Sequence, residues 1–317
     1  MVATMNNPLV SFFLSTYNRK DEILKTLGKI YEQSYRPIEV IVVDNCSSDG
    51  SSEAIKEKFS QVKCLRTMEN IGGVAARNMA CREATGKYLV SLDDDSFPGR
   101  ECVTRMVKEF ECDPRLGLIA FNVYNQKAFI ANYYDEAHLA ESKSESENYY
   151  WSGCGGGYRQ EIVEQYGYWE EWGHTSPYEL GISAKVMKAG MIAKNFSDLY
   201  VFHAFASDDT EKNDNKWGFA VDSSFNYRTG NPIANFTSAR SSLMFVLKYY
   251  PLNIKTLIWL IKYSWCVAVD CVSRRRSVLL KALLSGLAKT PRLYNERIAL
   301  TPEQAEKITI GFNFKGK

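Results

Sequence analysis

Short apolar runs alternate with longer stretches of mixed polarity along the first 125 residues. Pro8-Leu-Val-Ser-Phe-Phe-Leu14 is continuous and rich in β-formers, and polar Ser15-Thr-Tyr-Asn-Arg19 leads from it into a helical pattern over Asp21 to Gln33. The unit recurs: Ile38 to Val43 predicts a strand, residues 44–50 a loop and Ser51 to Phe59 a helix with capping residues before it. Val62 to Thr67 predicts a third strand, followed by a helix from about Gly72. Lys87 to Leu92 and Leu116 to Phe121 predict the fourth and fifth strands. Strands alternating with helices of this length imply right-handed crossovers. The expected fold is α/β, a mostly parallel, Rossmann-like sheet flanked by helices.

In such sheets ligands bind beyond the carboxyl ends of the strands, so polar residues far apart in sequence are expected to line one crevice. They are Thr16, Asn18 and Arg19 after the first strand, Asp44, Asn45 and Ser47 after the second, and Asn70 and Gly73 after the third, with Arg77 in the helix that follows. The set suits a nucleotide: Asp44 can accept from a base N–H, while Asn70, Gly73 and Arg77 can serve ribose and diphosphate. Taken singly, each residue is equally well explained by loop or capping chemistry. After the fourth strand come Asp93, Asp94 and Asp95, whose mutual repulsion calls for compensation. A divalent cation of the hard, oxygen-preferring kind, Mn²⁺ or Mg²⁺, would supply it, with donor phosphates completing the ligand set. A solvated acidic turn near Phe97-Pro98 is the alternative.

Five segments in order, Val10–Arg19, Ile41–Gly50, Asn70–Asn78, Gly86–Asp95 and the glycine-rich Ser152-Gly-Cys-Gly-Gly-Gly-Tyr-Arg159, resemble family 2 glycosyltransferases of the GT-A fold, in particular bacterial polysaccharide and O-antigen (rhamnosyl-type) enzymes. The resemblance spans roughly residues 8–205. It implies an inverting, metal-dependent enzyme that moves a sugar from a UDP- or dTDP-linked donor to a hydroxyl of a saccharide or lipid-linked saccharide. By position it makes Asp95 a metal ligand, sets Asp93 and Asp94 on the donor, and gives Asp44 the base. It also brings His203, after the apolar run Leu199–Phe202, to the metal. Matching backward from Ala189-Gly190 places Glu179 as the base that deprotonates the acceptor. Tyr178 and Gly181 stand where the family often has acidic residues, so Glu170 and Glu171 remain alternatives for that role.

Aromatic faces suit sugar C–H surfaces, so Trp151, with Gly155 and Gly156 beside it, is expected on the acceptor side, with core packing as the rival explanation. The stretch Glu141 to Glu147 predicts a surface loop. A nucleotidyltransferase on a similar fold, or a non-catalytic carbohydrate- or nucleotide-binding module, is the competing reading. A phosphate loop of the G-x-x-x-x-G-K-[ST] type is absent from the sequence.

The 317 residues, 45% apolar and 24% charged, exclude disorder, collagen and coiled coil. They suit a catalytic domain over 1–234 (a nucleotide-sugar half, 1–125, and an acceptor half, 126–234) with a helical region over 235–317. The net charge of +2 argues against nucleic acid as a partner, but it is unevenly spread. Residues 241–317 hold 13 Lys and Arg against 4 Asp and Glu, a net +9, leaving −7 for residues 1–240. In this basic tail Leu243, Val246, Leu247, Leu257, Ile258, Leu260 and Ile261 repeat at helical spacing, with Lys248, Lys255 and Lys262 seven apart. Such a region suits peripheral contact with an anionic membrane, or it covers the catalytic domain or a second copy in a homo-oligomer. No run approaches the roughly 18 uncharged apolar residues of a membrane span, and Met1–Thr4 lacks a signal-peptide pattern. A cytoplasmic location, extending to the inner membrane face, is therefore expected. The eight scattered cysteines suggest reduced structural thiols.

Overall fold

A computed structural model describes residues 7–125, 144–171, 178–204, 232–273 and 277–308. They fall into two compact units, one of residues 1–168 and 190–210, the other of 169–189 and 211–317.

The first unit is built on a single sheet. The foreseen alternation holds as β1 (Val10–Thr16), α1 (Lys20–Tyr31), β2 (Ile38–Asp44), α2 (Ser51–Lys58), β3 (Lys63–Arg66), α3 (Gly73–Arg82) and β4 (Tyr88–Leu92). These four strands are mutually parallel in the order β3-β2-β1-β4. Their apolar runs are continuous because helices cover both faces of a parallel sheet. α1 turns Ile23, Leu27 and Ile30 inward at helical spacing, and all three are buried.

Beyond β4 the sheet becomes mixed. β5 (Ser96–Pro98), α4 (Cys102–Cys112), β6 (Leu116–Asn125), β7 (Glu145–Glu147), β8 (Gly155–Arg159), α5 (Gln160–Tyr166) and β9 (Ile192–His203) complete the unit. β8 runs antiparallel between β4 and β6, β6 pairs parallel with β9, and β5 and β7 both pair antiparallel with β9. Glu145–Glu147 therefore forms a strand where a loop was expected, and residues 126–143 lie outside the described residues.

β8 is a strand made by packing rather than propensity. A Cβ at Gly155 would strike Val201, one at Gly156 the Trp151 ring, and one at Gly157 the Met106 sulfur. Arg159 closes the strand beneath the stacked rings of Tyr88 and Phe110, and its guanidinium donates to the Leu116 carbonyl at 2.7 Å and the Phe110 carbonyl at 2.6 Å.

The second unit contains α6 (Tyr178–Lys188) and five further helices: α7 (Pro232–Tyr249), α8 (Ile254–Ser273), α9 (Ser277–Ala288), α10 (Thr290–Asn295) and α11 (Pro302–Lys307). α6 and α7 are tied through one buried carboxylate. Glu170 accepts from Lys248 Nζ at 2.9 and 3.0 Å and from the Tyr249 hydroxyl, and Lys185 Nζ of α6 lies 3.0 Å away. Burial alone would raise the Glu170 pKa, but the two lysines and the tyrosine hold it down at about 2 against an ordinary 4.5. Its stabilisation is therefore complete above pH 4.5 and is lost as the pH falls toward 2. Glu170→Gln leaves two buried ammonium groups without their carboxylate and should cost about 3 kcal/mol at neutral pH. Urea denaturation followed by circular dichroism checks this, and the deficit of the variant should shrink below pH 4.

Candidate active site

Because β1, β2 and β4 are parallel neighbours, their carboxyl ends lie side by side, with Thr16 paired to Asp44 in the register. Two of the loops leaving this edge are laced together. Asn18 adopts a left-handed backbone with φ of 53°, a conformation that asparagine tolerates better than most residues. From it the backbone N–H donates to Ser47 Oγ at 2.9 Å, while the side-chain oxygen accepts from Ser48 N–H at 2.7 Å. Asn45 bridges to the next loop: its amide nitrogen donates to Asn70 Oδ1 at 2.9 Å and its amide oxygen accepts from Ile71 N–H at 2.9 Å. Asn70 Oδ1 also accepts from Gly72 N–H, and α3 starts at Gly73, whose carbonyl accepts from Ser15 Oγ at 3.5 Å.

Asp44 is fully buried and both its oxygens are engaged, one by Ser47 N–H at 2.8 Å and the other by Ser52 Oγ. It thus organises the β2–α2 loop, and each oxygen keeps a second lone pair with which to accept.

The acidic run follows β4, and each aspartate has a separate set of partners. Arg77, buried in α3, reaches Asp93 Oδ1 while also donating to the Gly153 carbonyl at 2.8 Å and to Ser91 Oγ at 3.1 Å. Thr16 donates to Asp94 Oδ2 at 2.8 Å, and Arg19 spans Asp94 at 3.3 Å and Asp95 Oδ2 at 2.6 Å. Much of the compensation that the sequence suggested for a cation therefore comes from two arginines. Burial pushes the Asp94 carboxyl up to about 6, opposed by Arg19 and Thr16 and reinforced by its acidic neighbours. At Asp95 burial acts in the same direction but is outweighed by His203 and Arg19, which hold its pKa below the usual range.

Antiparallel pairing of β5 with β9 sets His203 opposite Ser96. The imidazole Nε2 then lies 3.1 Å from Asp95 Oδ1 and 3.5 Å from Asp93 Oδ2. Those are the two oxygens that Arg19 and Arg77 do not take. Burial would lower the His203 pKa, but hydrogen bonding and charge from Asp95 and Asp93 raise it above the ordinary value. Carboxylate oxygens and an imidazole nitrogen are donors of the kind that hold a divalent cation, and Asp93 and His203 belong to a group whose ligand atoms all lie within 4.8 Å of one another.

Residues 11–167 match the sequence profile of Glycosyl transferase family 2. The chain belongs to that family. Among its relatives are a UDP-Glc:alpha-D-GlcNAc-diphosphoundecaprenol beta-1,3-glucosyltransferase of Escherichia coli, 31% identical over 38% of this chain and 49% of the relative, and a putative teichuronic acid biosynthesis glycosyltransferase of Bacillus subtilis, 37% identical over 28% of this chain and 36% of the relative. The chain thus spans about half, or less, of the length of these curated relatives. A mannosyltransferase of Pyrobaculum calidifontis, solved with GDP-Man and Mn²⁺, shares the fold with a TM-score of 0.52 at 19% identity, over 90% of this chain and 88% of that one. TarS residues 1–349 of S. aureus share it with a TM-score of 0.56 at 14% identity, over the same 90% and 88%.

The remaining expected residues of this family 2 chain have the following surroundings. Trp151 is only 4% exposed, with its ring over Gly156 and edge-on to Tyr158. The close approach implied by Gly155 and Gly156 is therefore to the protein's own Val201 and Trp151. Glu179 opens α6 in the second unit and is buried there. Glu170, an alternative base, is saturated by its lysines and tyrosine, and a Cβ at Gly181 would lie 3.1 Å from Glu170 Cγ. Glu171 is exposed. Cys46, Cys64, Cys81, Cys102, Cys112 and Cys154 are in no disulfide.

One residue was not anticipated. Cys154, counted only as a structural thiol, brings its sulfur within 4.8 Å of a ligand atom of both Asp93 and His203. No spacing motif in the sequence marked it. Titration of the full chain with Co²⁺ should give near-ultraviolet thiolate-to-cobalt absorption that Cys154→Ser abolishes; identical spectra would place the sulfur outside the coordination sphere.

Proposed function

We propose that the protein is an inverting, metal-dependent glycosyltransferase that moves a sugar from a UDP- or dTDP-linked donor to a hydroxyl of a saccharide or lipid-linked saccharide in polysaccharide assembly. The observation that carries this reading is the convergence of Asp93 Oδ2 and Asp95 Oδ1, each the oxygen left over by an arginine, on His203 Nε2 at the carboxyl edge of the sheet. A Mn²⁺ or Mg²⁺ ion held by these residues would neutralise charge developing on the departing diphosphate. The laced loops of Thr16, Asn18, Asn45, Ser47 and Asn70, with Asp44 bracing them, form the nucleotide side, and Arg19 and Arg77 are the cations nearest the phosphates. Arg19 is the more adaptable of the two, because its side chain is partly open to solvent and that of Arg77 is buried.

Inversion requires the acceptor hydroxyl to attack the anomeric carbon from the face opposite the leaving group and to lose its proton as it does so. We assign that proton to Glu179. Its place in sequence before Ala189-Gly190 supports the assignment, as does the engagement of Glu170 elsewhere.

The donor side is tested by calorimetry with UDP- and dTDP-sugars, with and without Mn²⁺. Asp95→Asn should weaken metal-dependent donor binding about tenfold or more, and unchanged affinity would sink the assignment. Glu179→Gln should leave donor affinity intact and lower turnover by about 10²- to 10⁴-fold; normal turnover would move the base elsewhere. The product released should be nucleoside diphosphate, whereas pyrophosphate would indicate nucleotidyl transfer.

A further inference from the structure

The second unit carries more apolar surface than a solvated helical bundle needs. On α8, Thr256, Trp259 and Tyr263 are buried, whereas Ile254, Leu257, Ile258, Ile261 and Trp265 are exposed. Helical geometry puts the first set on one face and gathers the second on the opposite face, within an arc of about 100°. Trp265 is 71% exposed and Ile261 60%. The neighbouring helix α9 repeats the arrangement with Ala282 buried and Leu280, Leu284 and Leu287 exposed at i, i+4 and i+7, and Leu252, just before α8, and Tyr294 of α10 are exposed as well. Ten of the thirteen large apolar side chains exposed among the described residues lie between Leu252 and Tyr294. A clustered distribution of that kind marks an interaction surface.

Charge identifies the occupant. Lys255, which also pairs with exposed Glu306 at 3.5 Å, and Lys262 run along one edge of the α8 stripe, and exposed Lys281 flanks that of α9. Two copies meeting across this face would bring like charges together, whereas an anionic headgroup layer complements the lysines while its acyl region takes up the apolar residues. No described helix is long and apolar enough to cross a membrane, so contact would be from one side. We propose that the outward face of α8 and α9 binds the surface of an anionic lipid bilayer. The proposal does not depend on the transferase reading.

Flotation of the full chain with vesicles of phosphatidylglycerol and phosphatidylethanolamine, and separately of phosphatidylcholine alone, tests it. The protein should float with the anionic vesicles, and high salt should weaken the association. Ile261→Glu combined with Trp265→Glu should reduce partitioning about tenfold or more. Lys255→Glu with Lys262→Glu should remove the preference for anionic over neutral vesicles. Unchanged melting temperature and unchanged nucleotide-sugar affinity would show that these variants are folded. Absence of flotation with either vesicle would overturn the proposal. So would equal flotation of wild type and the Ile261/Trp265 variant, or a dimer in ultracentrifugation that the Trp265 change dissolves without any lipid binding.

Discussion

Three consecutive carboxylates at the end of a buried strand are tolerable only because oppositely charged and hydrogen-bonding groups reach them from distant parts of the chain. Arg19 comes from the loop after β1, Arg77 from α3 and His203 from the end of β9. Thr16 and Thr26 add hydrogen bonds to Asp94, one to its carboxylate and one to its carbonyl. Each of these groups is fixed by a different element, so the acidic run ties the parallel half of the sheet to its mixed half. A change to any one partner leaves a buried or half-buried carboxylate undercompensated.

The same connection explains why β8 has so unusual a composition. Arg77 and Ser91 both donate to the Gly153 carbonyl, and Ser96 Oγ donates to the Cys154 carbonyl at 2.7 Å. The backbone entering β8 is thereby held against the acidic run. The strand that follows must lie between β4 and β6 while Val201, Trp151 and Met106 fill the volume where its side chains would stand. Glycine is the residue that permits both, at the cost of conformational entropy. The aromatics nearby serve this packing, which is how a segment that looked like an acceptor platform came to be buried.

What could be read from the sequence follows from what periodicity encodes. The runs at Val10, Ile38 and Tyr88 are buried on both faces and so announce themselves as parallel strands, and the crevice at their ends follows from topology. β5, β7 and β8 are short, acidic or glycine-rich, and exist because a neighbouring strand accepts them, which no local pattern records. Among site residues, the acidic run and His203 were legible through their order along the chain. The use of Arg19 and Arg77 as partners of the aspartates was not, because an arginine after a strand carries no mark of whether it faces a ligand or a carboxylate. Asp44 is the converse case, a polar residue at the crevice edge whose carboxylate is directed into its own loop. Cys154 was missed because a thiol outside a C-x-x-C or His cluster gives no signal until folding brings it beside Asp93 and His203.

Charge balance at the sheet edge bears directly on the chemistry. Asp93, Asp94 and Asp95 face Arg19, Arg77 and His203, so much of the acidic charge already has a partner within the chain. A diphosphate brings further negative charge, and no other described lysine or arginine makes an ion pair with this cluster. Neutralising it requires either that Arg19 leave its aspartates for the phosphates, which uncovers Asp94 and Asp95, or that a cation enter with the donor. On the proposed reading a divalent ion would meet both demands, because it would take carboxylate oxygens that the arginines leave and still offer positions to phosphate. On that reading the arginines and the metal would be complementary: the first compensate the aspartates, and the second would offset charge that a diphosphate brings.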